Sequence, residues 1–152
     1  MTEQSEPFGT DKLSGRTREV LRLNVLDAYN RLVPRRPGPE EARTLLELLD
    51  PTNVLRETPR RRDDAAAVLS GLWLWHDFLD ESHTLSQQIH GSSGSFWHAI
   101  MHRREGDFSN SKYWYARCAA HPVMPSLAAR VDELIKPYPA DKSLLRLTSG
   151  GW

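Results

Sequence analysis

The chain has 152 residues, the size of one ordinary domain. Lys and Arg number 20 and Asp and Glu number 20, so the formal net charge is zero, which argues against a protein devoted to gripping nucleic-acid backbone. No window approaches eighteen uninterrupted apolar residues, the start Met1–Glu6 lacks the basic and apolar runs of a secretory leader, and the single Cys118 cannot close an internal disulfide. The expected protein is therefore cytoplasmic, with no membrane span and no nucleic-acid partner.

Residues 1–13 are polar and aperiodic and read as a flexible tail, as do residues 141–152, leaving 14–140 as one helical domain. From about Arg16 to Leu32, Val20, Leu21, Val25, Leu26, Ala28, Tyr29 and Leu32 recur at helical spacing. Pro34–Gly38 ends that helix. Pro39 suits a first helical position, Glu40 and Glu41 suit the positive end that follows, and Asp50-Pro51 stops the second helix after Leu49. The run Arg60-Arg61-Arg62 is largely cancelled by Asp63 and Asp64 and reads as solvated surface. A long third helix is expected from Asp63 to Ile89 or His90, broken by Gly91–Gly94. Ser95 is placed to cap a short helix from Phe96 to Glu105, closed by Gly106. Another helix starts at Ser109 or Asn110 and runs to Ala120, and a last amphipathic stretch covers Pro125–Lys136. With no alternating strand and no internal repeat, the expected class is all-α, a bundle of five to six helices.

All six histidines lie between His76 and His121, and residues 73–121 also hold Trp73, Trp75, Phe78, Phe96, Trp97, Phe108, Tyr113, Trp114 and Tyr115. This concentration marks residues 73–122 as the working region. On the expected long helix, Leu69, Leu72 and Trp73 share a stripe with His76, Asp80, His83, Gln87 and His90. An apolar stripe that turns polar either emerges into water or lines a polar pocket. Trp75, Phe78, Leu85 and Ile89 keep other faces of the same turns apolar, which favours the pocket.

On the short helix, His98, His102 and Glu105 stand at i, i+4 and i+7 and share one face. Two imidazoles four residues apart can converge on one divalent ion, here with one of His76, Asp80 or His83 from the preceding helix. An HxxxH pair on an amphipathic helix is also common without any ion. Seven residues separate His76 from His83, roughly 10 Å of rise, so one small ion takes only one of them. Arg103 and Arg104 offer planar forks for carboxylate or phosphate, with Asn110 and Lys112 at the start of the next helix and Trp97 beside the histidines. The same arginines could instead pair with Asp77, Asp80, Glu81, Glu105 or Asp107. Cys118, among alanines, reads as a small buried residue, and no G-x-S-x-G context supports a serine nucleophile.

The run Trp97–Glu105, with Asp107, Asn110 and Lys112-Tyr113-Trp114, resembles a recurrent block in uncharacterised bacterial and fungal proteins, to which no activity attaches. His76-Asp77 looks like the doublet of the HD phosphohydrolases, but the chain has no histidine before His76 as that family needs. His98-Ala99-Ile100-Met101-His102-Arg103 is similar to the HxxxH-R element of DinB-like four-helix bundles, which pair it with a histidine from an earlier helix. That resemblance implies one divalent metal (Zn, Mn, Ni or Fe) with His76 or His83 as the further ligand. Two functions are expected from all this. One is a His/Asp/Arg-lined pocket for a polar or anionic small molecule, metal-dependent and hydrolase-like, with His98, His102, Asp80 and Glu105 as ligands, acid/base groups or orienting groups. The other is a non-catalytic interaction or structural domain in which the same residues form a satisfied buried network.

Overall fold

A computed structural model describes residues 10–25, 28, 31–118 and 121–136. The tail expected over 1–13 lies outside the described residues up to residue 9, and Thr10–Lys12 form a single 3-10 turn. Leu26, Tyr29, Ala120, the domain end at 140 and the tail at 141–152 also lie outside them. Among the described residues there are seven α-helices and no strand, only an antiparallel bridge between Leu13 and Leu55.

Ser14 opens α1 (Gly15–Arg22): its Oγ accepts the Thr17 N–H at 3.2 Å, satisfying one of the free donors of the first turn. The helix stops well short of Leu32, a correction to the sequence expectation. Asn24 takes a left-handed backbone (φ 48°) and turns the chain, leaving Val25 and Leu32 exposed although they keep the helical period. Pro39 caps α2 (Glu40–Glu47) with extended backbone rather than occupying its first turn.

A larger correction concerns the expected long helix. It is two helices, α3 (Arg62–Trp75) and α4 (Leu79–Ser86), joined by a corner at His76–Phe78 where Asp77 has φ 64°. Tertiary bonds hold this break. The His76 Nε2–H donates to the Val20 carbonyl at 2.8 Å, and the Arg104 guanidinium takes both the Leu74 carbonyl and Asp77 Oδ1 at 2.7 Å. Next, α5 (Ser92–Glu105) starts earlier than expected, with Gly91 rather than Ser95 at its cap. Gly106, left-handed at φ 87°, ends it so abruptly that Asp107 already caps α6 (Phe108–Arg117). Finally, α7 (Val123–Ile135) follows His121-Pro122.

The apolar core lies among α1, α2 and α3, around Val20, Ala42, Leu46, Val54, Ala65, Leu69, Leu72 and Phe78. Beyond Phe78 the buried positions mix apolar side chains such as Ile89, Ala99 and Met101 with polar ones, Ser82, Ser86, Ser95, His98, Arg104 and Ser111. Serines bond across the helix crossings: Ser70 Oγ donates to the Ser82 carbonyl at 3.0 Å, tying α3 to α4, and Ser111 Oγ donates to the Ala99 carbonyl at 2.9 Å, tying α6 to α5. Gly71 lets Trp97 of α5 lie on α3, since a Cβ there would sit 2.6 Å from the indole. The histidines occupy this mixed half.

Candidate metal centre

The turn Gln87–Gly91, with Gly91 at φ 111°, brings α5 back against α4. His83 of α4 thereby meets the face of α5 that carries His98 and His102. One nitrogen from each of these three rings lies within 4.8 Å of the others, and among the described residues this is the one group of three or more such side chains so arranged. The His83–His98 and His98–His102 ring centres are 4.6 and 4.8 Å apart. Tetrahedral zinc with bonds of about 2.1 Å holds its ligand nitrogens roughly 3.4 Å apart, so the rings would close by about an ångström around an ion.

The neighbours set which nitrogen is available. Ser86 Oγ donates its one proton to the His83 carbonyl at 3.1 Å, so toward His98 Nδ1, 3.3 Å away, it can only accept. His98 therefore carries its proton on Nδ1 and presents a bare Nε2. On the same helix, Glu105 Oε2 accepts from His102 Nδ1 at 2.9 Å and frees the Nε2 of that ring. Carboxylate or hydroxyl on one imidazole nitrogen and metal on the other is the usual outer arrangement of histidine metal sites. His98 is 4% exposed and packs against Trp114 at 4.2 Å. Burial first, then the neighbouring His83 and His102, push its pKa down to about 4. It is a neutral ring at pH 7, as a ligand must be.

The other residues marked in the sequence fall elsewhere. His76 is buried at the α3–α4 corner, held by Val20, and takes no part in the cluster. Asp80 is exposed and lines a shallow groove with Trp73, Glu81, Thr84 and Leu85. Arg104 is fully buried and fastens Leu74, Arg31 and Asp77, which realises the ion-pair alternative rather than an accessible ligand grip. Arg103 lies over the Phe108 ring at 4.4 Å. Asn110 donates to the Asp107 cap at 2.8 Å, Lys112 is exposed on α6, and Trp97 covers Gly71. None of these four joins the cluster of imidazoles.

Ser86 and Trp114 complete the site; the sequence placed Trp114 in the aromatic-rich region without giving it a site role, and the signal for Ser86 was its place one turn after His83. A second serine–histidine contact, Ser93 Oγ to His121 Nε2 at 3.1 Å, does not make an activated nucleophile. The Val123 N–H donates to His121 Nδ1 at 3.1 Å, so the neutral ring has its proton on Nε2 and donates to Ser93 instead of accepting from it. Burial lowers the His121 pKa and favours that neutral ring. Comparison of the chain with known protein families, with curated proteins and with solved structures finds no match.

Proposed function

We propose that the chain binds one divalent transition-metal ion through His83, His98 and His102, and that this ion serves hydrolase-like chemistry on a polar or anionic small molecule. The observation that carries the reading is the state of the three rings. Their ring centres lie 4.6 to 5.5 Å apart, yet no hydrogen bond joins them, and no group among the described residues bonds to the Nε2 of His98 or His102. His98 is buried and His83 and His102 are partly buried, and three imidazoles that converge without bonding one another offer nitrogens that a cation can take. Three imidazoles from two helices leave a further coordination position for water or substrate, the pattern of catalytic rather than closed structural zinc sites. Bound there, a metal ion supplies an acidified water or polarises a carbonyl or phosphoryl oxygen. Glu105 orients His102, and Ser86 orients His98.

The rival, a satisfied structural network, describes His76 and Arg104 well, since both spend their donors on backbone carbonyls or on Asp77. It does not account for the triad. Metal analysis of untagged full-length protein separates the two. Near-stoichiometric Zn, Mn, Ni or Fe that is lost in His83→Ala, His98→Ala and His102→Ala, while each variant keeps its helical circular dichroism, supports the proposal. Folded wild-type protein that carries no metal and takes up none of these ions on addition overturns it.

A further inference from the structure

On the far side of the α3–α4 corner, the loop Pro34-Arg35-Arg36-Pro37-Gly38-Pro39 folds over an open cavity of about 610 Å³. Its wall carries Arg31, Arg35, Arg36, Asn24, His76 and Asp77. The volume falls within the range of small-molecule sites. The charge is one-sided. Asp77, the one carboxylate among the described residues of the wall, is already paired with Arg104 at 2.7 Å, while Arg31, Arg35 and Arg36 make no ion pair among the described residues. In a chain whose formal net charge is zero, three uncompensated guanidiniums around one concavity are a local choice and not a reflection of overall charge. Three prolines in six positions restrict the backbone that presents Arg35 and Arg36, so less freedom is lost when they engage a ligand.

We propose that this cavity binds a small phosphate-bearing anion, with the forks of Arg31, Arg35 and Arg36 on its oxygens. A multiply charged phosphoryl group matches three guanidiniums, where a single carboxylate would satisfy only one. Asn24 and the rest of the wall are left for the remainder of the ligand. The site is separate from the three-histidine cluster, and neither proposal depends on the other.

The test is calorimetric titration of the full chain with pyrophosphate at low ionic strength, after chelation so that an anion held by a metal does not register. Saturable one-to-one binding is expected, weakened roughly ten-fold or more in Arg35→Ala/Arg36→Ala and in Arg31→Ala. It should be unchanged in Arg60→Ala/Arg61→Ala, an exposed pair outside the cavity. All the substituted side chains are exposed, so folding is preserved. Absence of saturable binding, or an equal loss in the Arg60/Arg61 variant, overturns the proposal, the second result showing attraction by surface charge alone.

Discussion

Arg104, with none of its surface exposed, reaches from α5 to Asp77 Oδ1 at 2.7 Å and so pins the one residue that interrupts the α3–α4 run with a left-handed backbone. The same guanidinium holds the Leu74 and Arg31 carbonyls, so a single side chain fastens three segments. Arg104→Met keeps the volume but strands Asp77 and two carbonyls. The expected cost is about 3–5 kcal/mol, the range for removing one partner of a buried ion pair. Urea denaturation measures it, and a loss under 1 kcal/mol would show that water replaces the guanidinium at no great penalty.

In the proposed metal site Glu105 would act only through His102, whose Nδ1 it accepts from at 2.9 Å. Glu105→Ala should weaken metal affinity by about 10- to 100-fold while leaving thermal stability of the metal-free protein nearly unchanged, because the Glu105 side chain is 37% exposed. Glu105→Gln retains an oxygen acceptor and should recover part of the affinity. Competition with a chromophoric chelator reads both variants; equal affinity in all three proteins would remove Glu105 from the site.

His76→Ala separates the two kinds of buried histidine. The variant should keep its full metal content, since His76 stands apart from the cluster. It should lose roughly 2–3 kcal/mol of stability, from a cavity and an orphaned Val20 carbonyl. Metal loss in this variant at undiminished stability would move the ligand set to the α3–α4 corner.

Acid should destabilise the metal-free protein. His98 is held neutral with a pKa near 4, against 6.5 when unfolded, so the unfolded chain binds a proton that the folded one refuses. Its contribution is complete above pH 6.5 and is lost progressively as pH falls toward 4, on the order of 3 kcal/mol in all. His76 and His121, both lowered by burial, act in the same direction. Denaturant midpoints across pH 7.5 to 4.5 test this: a flat profile in wild type would contradict it, and His98→Gln should flatten the slope.

Helical class and the pairing of His98 with His102 were legible in the sequence because each depends on spacing within one helix. The three residues His98, His102 and Glu105 hold the i, i+4, i+7 relationship whatever surrounds them, and the His102–Glu105 bond follows from it. The choice between His76 and His83 was not legible. Both fit one uninterrupted helical wheel, and the corner at Asp77 that separates them is made by Arg104, twenty-seven positions later in the chain. The same holds for the arginines: their chemistry was plain, but only the packing of α5 against α3 turned Arg104 inward and left Arg103 outside.

Local periodicity, capping groups and composition thus settled by themselves that this chain is helical and where its imidazoles concentrate. Which helices break, which third histidine joins the cluster, and which arginine is buried were decided by contacts between residues far apart in the chain. Aspartate tolerates a left-handed turn better than most residues, but at Asp77 the turn is also held by the buried Arg104 of another helix, which no local pattern shows.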